Sequence, residues 1–304
     1  MYRIGMDGGG TRTRLAVFEG EEERFRCETG GMNYNSFSAD EIREHLTEAV
    51  RGMQQGGFSA ADCEGIGIGA AGVSNPKAAP FLQQILQELG FTCPIVVEGD
   101  QDAALAGAVG AGAGILLIAG TGSVCVGKDA EGNKYRSGGF GHIIDDAGSA
   151  YAVGRDILTA IVRAEDGRGS KTALRAPVFE ALHVKNTQEL ISYLYSAERT
   201  KKDIAALAVC LSDELIQQDT AAGKIAEQAA DEQVLLVQSV LQKMGVTKSG
   251  QGEKSPIPLL LEGGLILKNK IVNKMFWEKL REQNLPVCPA AKSRDAAYGA
   301  STFV

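Results

Sequence analysis

Ile4-Gly5-Met6-Asp7-Gly8-Gly9-Gly10-Thr11-Arg12 and Ile115-Leu116-Leu117-Ile118-Ala119-Gly120-Thr121-Gly122-Ser123 carry most of what this chain says about its architecture. In each, an apolar run feeds a cluster of glycine with threonine or serine, and a second extended run follows, Leu15–Glu19 or Val124–Gly127. The apolar runs read as buried strands and the clusters as tight turns, because glycine alone tolerates such backbone without strain. Where Cβ atoms are missing, backbone N–H groups and a neighbouring hydroxyl can face phosphate oxygens. Strand, glycine turn, strand and polar turn therefore occur twice, which reads as an internal duplication of two similar lobes.

Outward from the first loop, strand and helix alternate. Arg3–Met6 is the strand before it. Ser38 with Glu41 three residues on forms a capping box, and Ile42, Leu46, Ala49, Val50 and Met53 mark one helical face. Gly65–Gly69 reads as a strand, and Phe81, Leu82, Ile85, Leu86 and Leu89 as a helix stopped by Gly90. Ile95–Glu98 is a strand leading into an Ala-rich helix over 100–109. This alternation predicts an α/β layer fold. Beyond the second loop and a turn at Asp129–Asn133, the chain reads as mainly helical from 148 to 245. Helices are expected over Gly148–Arg163, Asp203–Gln217 and Asp219–Met244, with Thr200 and Asp203 as a helix start. Residues 245–258, rich in Gly, Ser and Lys, read as a flexible loop. Leu259–Leu261 is a strand delivering Gly263-Gly264, and Arg294–Ser301 opens a last helix.

Two other nucleotide-site templates compete with the paired loops. Gly122–Lys128 has G-x-x-x-x-G-K spacing, but Asp129 stands where a P-loop needs Ser or Thr, and the segment reads as strand. Gly67-x-Gly69-x-x-Gly72 has dinucleotide-fingerprint spacing, yet Val73-Ser74-Asn75-Pro76 intervenes where a helix must open on the pyrophosphate. Neither template fits.

The bulk numbers bound the rest. The chain has 304 residues, 44% apolar and 23% charged, enough for two domains. Its 38 glycines exceed the roughly 21 of average usage. A formal charge of −7 gives no basic face for nucleic acid. No apolar run approaches the roughly 18 residues of a membrane span, and the first residues reach Asp7 without a signal-like apolar region. The six cysteines, scattered and without a C-x-x-C, read as reduced packing residues. Together these predict a cytoplasmic protein.

The residues Asp7-Gly-Gly-Gly-Thr-Arg12, Gly120-Thr-Gly-Ser123, Gly138-Gly-Phe-Gly-His142 leading to Asp146-Ala-Gly-Ser149, Glu262-Gly-Gly264 and Ala297-Tyr-Gly-Ala300 resemble those of one family. It is the BadF/BadG/BcrA/BcrD-type ATPases and N-acetylglucosamine kinases of the actin–Hsp70–sugar kinase superfamily, and the likeness covers essentially the whole chain. The resemblance implies two actin-like (ribonuclease H-like) lobes with ATP and sugar in a cleft between them. It puts the first lobe at 1–110 and the second at 111–289, with a helical segment over 148–245 and a final helix at 290–304 packing back on the first. The implied activity is phosphorylation of an amino sugar hydroxyl by ATP and Mg²⁺.

Carried over residue by residue, the resemblance makes Asp100 the catalytic base, with Asp102 its nearest rival. A sugar hydroxyl needs a carboxylate within reach to accept its proton as it attacks phosphorus, although a helix N-cap aspartate would suit the position as well. Gly9, Gly10, Thr11, Arg12, Gly120, Thr121, Gly122 and Ser123 would hold the ATP phosphates, and Asp7 would hold magnesium through water. Gly263 and Gly264 resemble the adenosine loop, and Ala205 falls where the family lays a helix beside adenine. Asn33, Gly139, Phe140 and Asp146 would hold the sugar beside Asp100. His142 is read as structural, and His45 and His183 as surface residues on helices. The chain departs from the family in having Phe140 where tryptophan is usual and Asp145-Asp146-Ala147 where Gly-Asp-Glu is usual. That changes the charge beside the sugar and leaves N-acetylglucosamine, N-acetylmuramic acid and glucosamine open as substrates. A homodimer is common on this scaffold, and no surface stripe in the sequence marks one. Two other activities use the same scaffold. One is an ATPase that activates a radical acyl-CoA enzyme through a cysteine-held iron–sulfur cluster, for which Cys125 has no cysteine at a partner spacing. The other is a non-catalytic sugar or nucleotide sensor.

Overall fold

Strand-forming runs and glycine turns build the same sheet twice. In a computed structural model describing residues 1–110, 112–246, 255–291 and 293–304, the first sheet contains β1 (Tyr2–Gly8), β2 (Arg12–Glu19), β3 (Glu22–Gly30), β4 (Cys63–Ala70) and β5 (Ile95–Gly99). Its order is β3-β2-β1-β4-β5. β1, β2 and β3 pair antiparallel, whereas β1/β4 and β4/β5 are parallel. The second sheet holds β6 (Gly114–Ala119), β7 (Ser123–Lys128), β8 (Lys134–Gly138), β9 (Ile257–Glu262) and β10 (Val287–Pro289), in the order β10-β9-β6-β7-β8. Read from the other edge this is the first order again, strand for strand, so the duplication legible in two short loops extends through both sheets.

The chain divides into two units, one of residues 1–114, 130–132 and 290–304, the other of 115–129 and 133–289. In the first, α1 (Ala39–Gln55) and α2 (Ala78–Glu88) cover one face of the sheet. Ile42, Leu46 and Met53 pack there with Ile4, Met6, Leu15, Ile66 and Ile68, all essentially without solvent contact. The Ser38 hydroxyl accepts the Glu41 N–H, and the Glu41 carboxylate accepts the Ser38 N–H, as the capping box requires. The other face of the sheet carries α3 (Asp100–Val109) and, after the second unit has been traversed, α12 (Ala296–Ser301).

That face explains the unused glycine pattern. Gly5 on β1 pairs with Gly67 on β4, and a Cβ on either would lie 1.8 Å from a carbonyl oxygen of α12, that of Ala297 or Ala300. Gly69 meets Ala103 of α3 in the same way. Gly67 and Gly69, two of the three glycines spaced like a dinucleotide fingerprint, let two small-residue helices lie directly on the strands.

The second unit adds α4 (Ala150–Glu165), α5 (Arg175–Leu182), α6 (Thr187–Leu194), α7 (Lys201–Ala206), α8 (Asp213–Gln218), α9 (Thr220–Lys243), α10 (Gly264–Lys268) and α11 (Lys270–Glu282). Its core joins Ile115, Leu117 and Cys125 of the sheet to Val153 and Ile157 of α4, Val234 and Val237 of α9, and Val272 and Phe276 of α11. The helix expected over Asp203–Gln217 is interrupted. After α7 the chain tightens into a 3₁₀ turn, Leu207–Cys210, and restarts at α8 with the Ser212 hydroxyl accepting the Leu215 N–H. Most of the loop expected over 245–258, residues 247–254, lies outside the described residues.

Candidate active site

Parallel pairing puts the ends of three strands in one row. Gly8 of β1 is in register with Ala70 of β4, and Ala70 with Gly99 of β5. The next residues of each strand, Gly9-Gly10, Ala71-Gly72 and Asp100, therefore share one edge of the first sheet, the carboxyl edge where open α/β sheets take ligands. Gly99 is the N-cap of α3 and Asp100 its first residue, so Asp100 is not itself the cap. The cap's N–H is accepted by Asp102, whose Oδ2 lies 3.2 Å from the Gly99 nitrogen. The rival carboxylate is thus committed to the helix start, while Asp100 takes the adjacent Gln101 N–H at 2.9 Å and its own backbone N–H.

Burial pushes the Asp100 carboxyl above its usual value. The Gln101 N–H pulls part of that back, and the negative charges of Asp7 and Asp102 add to the rise. Asp7 sits on β1 with Oδ2 3.5 Å from a guanidinium nitrogen of Arg14, which also binds Glu28. In the loop beyond it the Gly9 N–H donates to the Arg12 carbonyl, and Gly10 and Thr11 are exposed. Arg12 points to Glu28, 3.6 Å away.

Asn33 follows β3 on a loop whose Met32 N–H donates to the Gly9 carbonyl, so it lies beside the first glycine turn. Its amide oxygen accepts the Asn35 N–H at 2.9 Å. His45, read as a surface residue, is half-buried instead. Its Nδ1 lies 2.8 Å from the Gly31 carbonyl and its ring is edge-on to Phe37, so it props the loop carrying Asn33. His183 is exposed, and forms the left-handed C-cap of α5 rather than part of the helix.

In the second unit the loop between β6 and β7 is tied to the start of α4. Ala150 N–H donates to the Gly120 carbonyl at 2.7 Å and Tyr151 N–H to that of Thr121 at 3.3 Å. Beside it Gly263, at φ +100°, presses against Ala119 and Gly120; a Cβ there would lie 2.3 Å from the Ala119 carbonyl carbon. Gly264 has open space where its Cβ would be. A cavity of about 480 Å³ opens here, and Gly120, Thr121, Ala205 and Gly264 all line it. The sequence reading missed Lys202, Ala208, Val209, Asp213 and Lys268 on its wall. The signal was the Leu211-Ser212 break, since the interrupted helix exposes that stretch to the cavity.

Asp146 lies elsewhere than on an open surface. It is 4% exposed at φ +62°, and its Oδ1 accepts the Ser123 N–H at 3.5 Å, beneath Gly122. The Ser123 hydroxyl donates to the Ala147 carbonyl at 2.6 Å. This carboxylate therefore braces the second glycine loop. Phe140 is 70% exposed, and its N–H is accepted by Asp145, so the additional carboxylate of this chain also has a bracing task. Arg136 donates to the carbonyls of Gly138 and Gly139 at 3.1 and 2.6 Å. His142 stacks edge-on against Tyr151.

All six cysteines are free. Among the described residues no group of three or more His, Cys, Asp or Glu is arranged to hold a metal, and no helix is long and apolar enough to cross a membrane.

The sequence matches the BadF/BadG/BcrA/BcrD ATPase family over residues 4–304. It is 32% identical to the N-acetylmuramic acid/N-acetylglucosamine kinase of Clostridium acetobutylicum over 304 residues, 98% of this chain and 96% of that one. It is 30% identical to the N-acetyl-D-glucosamine kinase of Dictyostelium discoideum over 291 residues, 92% of this chain and 90% of the other. Among solved structures, a candidate N-acetylglucosamine kinase from Chromobacterium violaceum aligns at a TM-score of 0.75 and 22% identity, covering 99% and 98% of the two chains. A ROK family glucokinase from Streptomyces griseus, solved with glucose and AMPPNP, aligns at 0.55 and 18%, covering 100% and 99%. With its two five-stranded sheets in one repeated order, this chain has the actin-like α/β fold and belongs to the BadF/BadG/BcrA/BcrD ATPase family.

Proposed function

We propose that the chain is an ATP-dependent kinase that phosphorylates a hydroxyl of an amino sugar, N-acetylglucosamine or a close relative such as N-acetylmuramic acid or glucosamine. The observation that carries this is Asp100. It is a half-buried carboxylate with a raised pKa, level with the glycine turn of β1, while its neighbour Asp102 is occupied as a cap. The names of two curated relatives support the substrate class.

In this reading Asp100 accepts the proton of the attacking sugar hydroxyl, for which its oxygen must be ionised and free of competing donors. Asn33 holds the sugar in the first unit, and Gly139 and Phe140 offer backbone and an aromatic face in the second. Gly9, Gly10, Thr11 and Arg12 take ATP phosphates on the first loop, and Gly120, Thr121, Gly122 and Ser123 on the second. Asp146 holds that second loop in shape and offers its other carboxylate face to the sugar. Ala205 and Gly264 leave room for the adenosine in the 480 Å³ cavity, beside Gly263, which packs on Ala119 and Gly120. Asp7 and Asp100 are close enough for one charge to raise the other's pKa. Such an acidic edge fits Mg²⁺, which binds through one or two carboxylates together with phosphates and water. Bound there through water on Asp7, the ion would neutralise charge on the transferring phosphate. The protein so described is cytoplasmic, where thiols such as its six stay reduced. Cys125 is fully buried and desolvation holds its thiol protonated, a poor setting for a cluster thiolate.

The test is ADP release with Mg-ATP against N-acetylglucosamine, glucosamine, N-acetylmuramic acid, N-acetylmannosamine and glucose. Release that depends on an amino sugar and vanishes in Asp100→Asn is expected; equal release with every sugar and with none would sink the proposal. A second variant separates the nucleotide half. Gly264→Leu projects into the open space of the cavity and should raise the KM for ATP by ~10-fold or more, equivalent to ~1.4 kcal/mol. Thermal denaturation should leave its midpoint unchanged, because nothing lies within 4 Å of the added Cβ.

A further inference from the structure

Three asparagines from two loops meet beside the first glycine turn. The Asn75 amide oxygen accepts the Lys77 backbone N–H at 3.1 Å, and its Nδ2 donates to the Asn35 amide oxygen at 3.4 Å. The Asn35 backbone N–H in turn donates to the Asn33 amide oxygen at 2.9 Å. The Asn33 and Asn75 orientations follow from a backbone N–H, which can only donate, so the atom facing it must be oxygen; Asn35 then turns its oxygen to the Asn75 NH₂. Gly72, at φ +80°, closes the arrangement. A Cβ there would lie 2.4 Å from the Asn33 amide oxygen, 3.1 Å from the Asn35 Nδ2 and 3.3 Å from the Asn33 Cγ. The Asn75 N–H donates to the Gly72 carbonyl, a turn within the second loop, and the Asn75–Asn35 bond ties that loop to the first. The NH₂ group of Asn33 lies on the other side, 3.9 Å from where a Cβ on Gly10 would be.

We infer that Asn35 and Asn75 are positioning residues that fix the Asn33 amide with its oxygen turned to the Asn35 N–H and its NH₂ turned outward as a donor. This rests on the reading that Asn33 holds the sugar, and it gives that contact a sign. The group recognised must be an acceptor, a hydroxyl or acyl oxygen, and a sugar ammonium at that point would face a donor it cannot use. Asn35 and Asn75 need not touch the sugar, because their effect passes through the one amide they orient.

The experiment is calorimetric titration of N-acetylglucosamine into wild type, Asn33→Ala, Asn75→Ala, Asn75→Asp and the double variant Asn33→Ala/Asn75→Ala, with steady-state kinetics and thermal denaturation of each. Asn33→Ala and Asn75→Ala should each weaken binding by about fivefold, the scale of one hydrogen bond. Asn75→Asp keeps the acceptor for Lys77 but loses the donor to Asn35, and should match Asn75→Ala. The sugar KM should rise while kcat, the KM for ATP and the melting midpoint hold. With Asn33 already removed, Asn75→Ala should cost no more than about twofold further, since coupled residues are non-additive. A full additional fivefold loss in the double variant, or unchanged affinity in Asn75→Ala, overturns the inference while leaving Asn33 a sugar contact. Unchanged affinity in Asn33→Ala removes that contact itself and the inference with it.

Discussion

Asp100→Asn is expected to lower turnover by roughly 10²–10⁴-fold, to leave sugar and nucleotide binding in place, and to make the protein more stable at neutral pH. The last outcome separates a lost base from a damaged fold. Burial raises the folded-state pKa of Asp100 above its usual 3.8, and Asp7 and Asp102 add to the rise. The folded chain thus binds this proton more tightly than the unfolded chain, and stability falls with pH wherever that is so. The contribution of this carboxyl is complete below 3.8 and is lost as pH climbs through the raised value. Asparagine does not ionise and escapes the loss. The melting midpoint of the variant, compared with wild type at pH 7 and again at low pH, should show a gain that shrinks on acidification. For the wild type the acid limb of kcat/KM against pH should lie above the ordinary carboxylate range. A midpoint that falls at pH 7 together with the activity would mean that Asp100 serves the fold.

The largest loss of stability is expected from one methyl group at Gly5 or Gly67. Either Cβ would sit 1.8 Å from a backbone oxygen of α12, with no flexible side-chain end to move aside. The helix must lift, loosening Ala297 and Ala300, both fully buried, and the edge-on contact of Phe18 with Tyr298 at 5.4 Å. Overpacking of this kind costs typically 1–3 kcal/mol and sometimes more, so Gly5→Ala and Gly67→Ala should each reach at least ~3 kcal/mol in urea unfolding. In thermal melts that is a fall on the order of 10 °C. Gly52→Ala is the contrast. It lies within α1 with its nearest neighbour 3.8 Å away, and should gain about 0.5–1 kcal/mol from helix propensity. Equal midpoints for all three variants would show that close approach of α12 is not what these glycines serve.

The sequence made the interior strands and glycine loops readable because burial writes a strong pattern. β1, β4, β6 and β9 are short apolar runs ending in turns, and α1 carries a clean apolar face behind a capping box. β3 and β8 escaped notice for the opposite reason. Both are edge strands, Glu-Glu-Arg-Phe-Arg-Cys-Glu-Thr-Gly and Lys-Tyr-Arg-Ser-Gly, and charge along an edge discourages unwanted pairing while erasing the alternation that identifies a strand. The interruption before α8 was hidden because Ile204, Leu207, Ala208 and Leu211 keep helical spacing across it; only Ser212 with its two following acids marked a restart. At the candidate site, residue types at motif positions could be read, but not which atoms were already spent. Asp102 on a cap, Asp146 under Gly122 and Asn33 with its oxygen engaged are facts of hydrogen bonding between segments distant in sequence.

The path of the chain has a consequence for how the protein is made. The first unit is written in pieces, and α12, which seals one face of β1 and β4, leaves the ribosome only after the whole second unit. Until then the strands at one end of the nascent chain show a groove of bare glycine backbone, with the carbonyls of α12 still unsynthesised. The second unit has all its own strands by Pro289 and can fold while translation continues. The first cannot cover that face until α12 arrives, so the half that emerges first is the half completed last. A chaperone that delays the half emerging first, rather than the half emerging last, is the one from which this protein would profit.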